Sequence, residues 1–399
     1  MPLVGFCLSY SHRVRVLLFT DTLADVNGVS RFIRNAAAQA LSAGRDLTVF
    51  TSTNFDCPVA PNIRNFKPLA ATSMPGYPNL ELVLPPFLKM LRAARELRPD
   101  VIHISTPGPV GCVGRLAARS LSVPILGVYH TDFPAYIERL FDNELFTTIS
   151  RGAMSLFYRR FATIFTRSQD YADSVARLGI PRERIVPLRP GIMTEQFHPR
   201  VRDASIWPGY GCEADALRFL YVGRVSVEKN LPLLVKVWKV VDAGLRARNI
   251  AAELVIVGDG PYRAEMEEAL AGARARFLGF RYAEELSRMY ASADVFLFPS
   301  TTDTLGQVVM EAQASGLPVL VTDQGGPKEV VEHGRTGFIL PADPAAWIDH
   351  ILRLAADSAL RAVMSAAAHA HMQPYSMAAS FDHFWSVHEQ AYAEKQARG

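Results

Sequence analysis

Cysteine is scarce in this chain of 399 residues: Cys7, Cys57, Cys112 and Cys212 are scattered, with neither metal-ligand nor redox spacing. A disulfide-framed module is therefore set aside, and free or buried thiols in a reducing compartment are expected. Long apolar runs are missing too. The longest are strand-length, such as Val16 to Phe19 and Leu317 to Val321, against the ~20 residues of a spanning helix. Met1 to His12 lacks the basic start, apolar centre and small-residue cleavage site of a signal peptide. A short irregular lead-in and a cytoplasmic location are the expectations. No Asp-x-Asp pair occurs anywhere in the sequence, which removes one common way of holding a metal beside a diphosphate.

What is present is ordinary soluble-protein material, 49% apolar and 20% charged residues, enough for two cores in a chain of this length. The net charge of +3 conceals an asymmetry: residues 1–200 hold 23 Lys and Arg against 15 Asp and Glu, the remainder 19 against 24. A basic first half favours a polyanion or an anionic membrane surface near it.

Apolar strand runs alternate with helical periods along most of the chain. In the first half strands are expected at Val14–Thr20, Asp46–Phe50, Val101–Ile104, Ile125–Val128, Phe161–Thr166 and Arg184–Leu188. Helices are expected at Ser30–Ala43, Phe87–Arg98, Val110–Leu121 and Asp170–Leu178. Asp203 to Ala216, with Pro208, Gly209 and Gly211, interrupts the pattern and reads as a linker. The alternation then restarts, with strands at Arg218–Val222, Glu253–Val257, Ala275–Leu278, Val295–Phe298, Val319–Thr322 and Phe338–Leu340. The fold class is α/β: two doubly wound, Rossmann-like domains facing across a cleft, residues 1–202 and 218–374, joined by 203–217. The tail from Tyr375 carries Phe381, Phe384, Trp385 and Tyr392 at helical spacing. Ligands in such sheets lie beyond the carboxyl ends of strands, and each motif below sits there.

Phe298-Pro-Ser-Thr-Thr-Asp303-Thr304-Leu305-Gly306-Gln-Val-Val-Met-Glu311 follows a strand and opens a helix. The unpaired amides and positive dipole of that helix suit a phosphate. Two carboxylates beside it suit sugar hydroxyls. Phosphate and polyol together describe a nucleotide sugar, although a surface Asp and a helix Glu in a plain strand-turn-helix unit would read alike. Gly223-Arg224 with Lys229 places two cations after a strand, a planar fork and a point charge that fit a pyrophosphate; a solvated pair is the alternative. Asn27-Gly28 follows the first strand, where a glycine admits a ligand to the backbone and the next helix adds its dipole. Ser30 could equally be an N-cap there. This is no Gly-x-Gly-x-x-Gly fingerprint, which counts against a dinucleotide dehydrogenase. His130, with Thr131 and Asp132, ends a strand. Gly258-Asp259-Gly260-Pro261 is a turn by composition.

The acid-x7-acid pattern of Asp303 and Glu311 resembles the signature of retaining GT-B glycosyltransferases, the clan of bacterial α-mannosyltransferases and sulfoquinovosyl- and glucosyl-lipid synthases. The resemblance runs from about Val14 to about Leu340. Most members carry Glu at the first acid, so Asp303 bears on sugar preference more than on enzyme class. The resemblance implies that Glu311 takes the ribose hydroxyls and Asp303 the sugar's, and that Thr304, Leu305 and Gly306 hold sugar and phosphate through their amides. It implies that Arg224 and Lys229 stabilise the leaving diphosphate and that Asn27 and Gly28 face it. It puts His130 beside the donor sugar, Asp132 and Tyr136 toward the acceptor, and Gly258 and Leu278 near the nucleotide. It also implies that the last segment, 375–399, crosses back to the first domain.

GDP-mannose is the first donor expectation, because His130-Thr-Asp-Phe-Pro134 and Asp303-Thr-Leu-Gly306 are similar to the mannosyl- and glycolipid-synthesising branch. A UDP-hexose is the second. The acceptor is expected to be a lipid or glycan, with no cofactor, no essential metal and no nucleic-acid partner. Phe87, Leu88, Leu91, Ala94 and Leu97 form one helical face with Lys89, Arg92, Arg95 and Arg98 elsewhere. Such a helix either lies on an anionic surface, making the protein peripheral to the membrane, or packs with a solvated basic face. A sugar-nucleotide epimerase, a phosphorylase and a catalytically silent nucleotide-sugar-binding module share the fold and stay open at this point.

Overall fold

The computed structural model describes residues 13–24, 28–74, 77–130, 144–303 and 305–398. They gather into two compact units, Met1–Pro190 with Ala378–Gly399, and Gly191–Met377.

The first unit runs β1 (Arg15–Phe19), α1 (Gly28–Ser42), β2 (Asp46–Thr51), β3 (Ile63–Asn65), β4 (Ala70–Met74), β5 (Tyr77–Leu84), α2 (Phe87–Leu97), β6 (Val101–Ile104), α3 (Pro109–Leu121), β7 (Ile125–Tyr129), α4 (Glu144–Tyr158), β8 (Thr163–Thr166), α5 (Gln169–Arg177) and β9 (Ile185–Pro187). Seven of the strands form a parallel sheet ordered β3-β2-β1-β6-β7-β8-β9, while β4 and β5 pair antiparallel apart from it. The central strands are apolar on both faces because both are covered. One face packs Met90 and Ala94 of α2, Val113 and Ala117 of α3 and Phe157 of α4. The other packs Ile33, Ala36 and Ala40 of α1.

The second unit repeats the pattern with β10 (Leu217–Val222), α6 (Leu231–Ala247), β11 (Ala252–Val257), α7 (Arg263–Ala269), β12 (Ala275–Gly279), α8 (Ala283–Ser292), β13 (Val295–Phe298), α9 (Gln307–Ala314), β14 (Val319–Thr322), β15 (Gly337–Leu340), α10 (Pro344–Ala356) and α11 (Ser358–Met372). Its parallel sheet is ordered β12-β11-β10-β13-β14-β15. In both sheets the strand order reverses beside the first strand, between β1 and β6 and between β10 and β13. That reversal opens the crevice where doubly wound sheets take ligands. A last helix, α12 (Met377–Arg398), returns to the first unit and buries Phe381, Phe384, Trp385 and Ala391 on the α1 face.

The passage between units differs from the linker expected at 203–217. It lies at Pro190 and Gly191, and the return at Met377 and Ala378. Residues 203–217 instead belong to the second unit. Asp203 accepts from the Ser205 amide at 3.1 Å to start a short 3-10 turn, and Trp207 is buried with its indole N–H donating to the Ser292 carbonyl at 3.1 Å. Proline and glycine there shape a packed turn. Outgoing and returning chains are tied at Ile192, whose amide donates to Tyr375 and whose carbonyl accepts from Met377, at 2.9 and 3.0 Å. Ser30, weighed as an N-cap, is the third residue of α1. Among the described residues no helix is long and apolar enough to cross a membrane.

Candidate active site

At the reversal of the second sheet, the loop after β10 turns through a short 3-10 turn, Val227–Lys229, closed by Asn230 in the left-handed region at φ 55°. That turn delivers the Lys229 ammonium to the loop after β13, where it lies 2.9 and 2.8 Å from the two carboxylate oxygens of Asp303. Both side chains are four-fifths or so covered, at 19% and 24% exposure, so the pair is not a solvated one. The Asp303 carbonyl accepts from the Gly326 amide at 2.8 Å, and the Thr302 hydroxyl donates to the Glu228 carbonyl at 3.2 Å. The second bond laces the two loops together, and the first ties Asp303 to the loop after β14. Gly325, at φ 72°, passes so close that an added Cβ would sit 2.7 Å from the Asp303 carbonyl oxygen.

Arg224 is not brought to the pair. Its guanidinium faces Glu228 at 3.1 Å, with both side chains more than half exposed, a geometry worth little in stability and free to re-aim toward a ligand. Gly306 caps α9 in the left-handed region at φ 69°, and a Cβ on it would meet Pro327 at 2.8 Å. Leu305 packs on the core beneath. Thr304 lies outside the described residues. Glu311, on the first turns of α9, accepts from the buried Tyr290 hydroxyl and from the Gln307 side-chain Nε2, both at 3.3 Å. Burial and then the Glu311 charge push the Tyr290 hydroxyl well above its ordinary pKa, so it remains a donor. Gly258 has a packing reason for being glycine: at φ 129°, a Cβ would fall 1.9 Å from the Gly223 carbonyl oxygen. Its amide donates to Gly279 at 2.8 Å, tying the turn to the strand that carries Leu278.

In the first unit the strand ends collect four polar groups. His130 follows β7; its Nε2 lies 3.2 Å from the Ser105 hydroxyl after β6, and its Nδ1 has no partner among the described residues. Burial, then the nearby Arg167 cation, holds this imidazole well below its ordinary pKa, so it is neutral. Arg167, after β8, is itself drawn down to about 10 by burial and by Arg31, and its guanidinium lies over the Phe32 ring at 6.0 Å. Asp21, after β1, accepts from the Thr106 hydroxyl and the Val110 amide, each at 2.7 Å, and caps α3 from across the sheet reversal. Burial raises its carboxyl pKa despite those bonds. Ser105, Asp21, Arg167 and Tyr290 carried no sequence signal of their own; the first three depend on which strand ends lie side by side, and Tyr290 on how α8 packs beside α9. Asn27, Asp132 and Tyr136 lie outside the described residues, and Gly28 is the first residue of α1.

Residues 26–196 match the family model described as Glycosyltransferase Family 4, and residues 216–357 that described as Glycosyl transferases group 1. A GDP-mannose-dependent alpha-mannosyltransferase of Mycobacterium tuberculosis is 32% identical over 82% of this chain and 84% of its own length. The chain belongs to this family of glycosyltransferases. The sulfoquinovosyl transferase SQD2 of Arabidopsis thaliana is 30% identical over 94% of the chain and 72% of its own. In fold, this glycosyltransferase is similar to Anabaena HepE, solved in complex with UDP, at TM-score 0.71 and 18% identity over 94% of this chain and 99% of that one. The architecture is GT-B.

Proposed function

We propose that this glycosyltransferase moves a hexose, with retention at the anomeric carbon, from a nucleotide sugar to a hydroxyl of a lipid or glycan. The observation that carries the proposal is the Lys229–Asp303 pair at the β10/β13 reversal, 2.8 and 2.9 Å from ammonium to carboxylate. It stands beside a helix start capped by Gly306 and a Glu311 carboxylate held by two donors. Cation, helix amides and two oriented carboxylates are the parts that a sugar diphosphate requires.

In this assignment Asp303 accepts from hydroxyls of the transferred sugar and Glu311 from the ribose. Amides from Thr304 to Gly306 hold sugar and phosphate. Lys229 and Arg224 carry the growing charge of the departing diphosphate, a task in which no metal is assigned. Asn27 and Gly28 face the diphosphate, Gly258 and Leu278 lie toward the nucleotide, and neutral His130 orients the sugar by hydrogen bonding. The bond from the anomeric carbon to the phosphate oxygen breaks, the acceptor oxygen bonds the same face, and the leaving phosphate takes the acceptor's proton. Charge-stabilised, dissociative departure favours this course over the two-carboxylate double displacement of glycosidases.

GDP-mannose is the first donor and a UDP-hexose the second. The mannosyltransferase relative supports the former, and HepE, solved with UDP, supports the latter. Incubation with a panel of nucleotide sugars, reading released nucleoside diphosphate and the anomeric configuration of the product, tests the proposal. Transfer with retention from one donor is expected. An inverted product, or no cleavage of any donor, would overturn it.

A further inference from the structure

A cavity of about 1070 Å³ opens in the first unit at the amino-terminal edge of β7, β8 and β9, the end of the sheet opposite His130 and Asp21. The last turns of α3 overhang it from one face and those of α12 from the other. Its apolar side is formed by Leu116, Val123, Ile125, Val186 and Val387, while Arg115, Arg119, Arg160, Arg184, Lys395 and Arg398 supply cations against only Glu183 and Glu394. Arg398 reaches Glu394 at 3.9 Å. The other five cations have no carboxylate within ion-pair distance among the described residues, although Arg184 donates to the Arg159 carbonyl at 3.4 Å.

One exposed, unpaired cation is unremarkable. Five around one concavity, against Glu183 and Glu394, leave a positive field among the described residues. Arg115 shows the consequence, for burial and repulsion from Arg160 and Arg159 lower its pKa. Repelling cations around a pit are best relieved by an anion. The size narrows the class: the cavity matches the roughly 300–1,000 Å³ of small-molecule sites, far more than an inorganic ion fills. Its apolar wall would stay wet beneath a bare phosphate.

We propose that this cavity binds an organic phosphate, its anionic group among Arg115, Arg119 and Arg160 and its apolar body against the strand starts. The ligand is either a free phosphorylated metabolite or the head of a phospholipid. It bridges α3 to α12 and is independent of the donor site.

Cys112 lines the same cavity as a free cysteine at an exposed residue position, which provides a local readout. The full-length protein is titrated with inorganic phosphate, glycerol 3-phosphate and dihexanoyl phosphatidic acid, following heat of binding and the rate of Cys112 alkylation by peptide mass spectrometry. One of the two organic phosphates should bind at least about tenfold tighter than inorganic phosphate and slow alkylation in proportion; which one identifies the source. Arg115→Gln with Arg160→Gln should lose that binding by about tenfold or more, whereas Lys229→Ala, in the other unit, should retain it. Because the Arg115 guanidinium lies over Phe157 at 5.0 Å, Arg119→Gln with Lys395→Gln at exposed positions serves as a second test and should weaken binding in the same direction. The proposal fails if no organic phosphate protects Cys112 at millimolar concentration, or if both double variants bind as the parent does.

Discussion

A partly covered ammonium bonded to both oxygens of one carboxylate serves a transferase only if a ligand competes for it. Lys229 donates to both oxygens of Asp303, and a diphosphate would draw the ammonium toward itself and free Asp303 for sugar hydroxyls. Lys229→Ala is therefore expected to cut turnover by ~10²-fold or more, the loss typical of one donor aimed at developing charge. Donor affinity should fall less, because the charge grows in the transition state. Steady-state kinetics check this, and turnover within about twofold of the parent would remove Lys229 from the site. The two carboxylates should separate by role. Glu311→Gln should weaken binding of the bare nucleoside diphosphate, and Asp303→Asn should spare it while impairing use of the sugar. Equal losses in a calorimetric titration of both variants would refute the division. Gly258 fails for a different reason. A methyl group there meets a backbone oxygen that cannot rotate away, at 1.9 Å and φ 129°, so Gly258→Ala should cost about 1–3 kcal/mol of stability or more, read by denaturant unfolding.

Elements that are apolar on both faces announce themselves, which is why β6, β13 and β14 stand where the sequence places them, and why the other expected strands move by only a residue or two. The short edge strand β3, the β4–β5 pair and α4 were not legible. Ile63–Asn65 is three residues long, and α4 keeps Leu145, Phe146, Ile149 and Leu156 exposed, so neither presents the period that burial imposes. Of the site, acids and cations after strands were readable, since glycine turns and strand ends flag them. The partners that orient them were not, because Tyr290 is brought to Glu311 by the packing of α8 beside α9, and Ser105 to His130 by the sheet. The same limit hid what ties α12 down. His388 of α12 meets His103 of β6 at 2.9 Å, and its Nδ1–H donates to the Phe384 carbonyl at 2.7 Å. Its Nε2 thus accepts from His103, an arrangement that requires His388 to be neutral. Burial draws His388 down to about 4, and draws His103 and His130 well below their ordinary values. The unfolded chain therefore takes up protons first. Stability is complete above pH ~6.5 and falls as pH drops toward the folded-state values, by up to about 3 kcal/mol for His388 alone. His388→Gln should flatten the decline between pH ~6.5 and ~4 in a series of urea unfolding curves; an unchanged slope would mean that the pair does not titrate on unfolding.

Across the whole molecule the charge is divided, with 23 cations against 15 carboxylates in residues 1–200 and 19 against 24 beyond, and the structure shows where some of it is displayed. On α2, Met90 and Ala94 are buried while Lys89, Arg92, Arg95 and Arg98 are exposed. The helix packs its apolar face inward and offers a basic one to solvent, with Phe87 and Leu88 exposed at its first turn. If the acceptor is a membrane lipid, this face should give reversible binding to anionic vesicles. The attraction is surface electrostatics screened over ~8 Å at physiological ionic strength, so it should weaken steeply as salt rises. Replacing Lys89, Arg92 and Arg95 with Gln should reduce vesicle binding and leave the unfolding midpoint near the parent's, because exposed helix positions tolerate such changes and the packed residues Met90 and Ala94 are untouched. Cosedimentation with vesicles of matched size, anionic and neutral, decides the matter. Binding that is equal on both, or absent from both, would count against a membrane-surface acceptor and make a soluble glycan the better candidate. Binding to anionic vesicles that survives the triple replacement would instead place the contact elsewhere on the basic unit, with the rim of the Arg115 cavity the next face to neutralise.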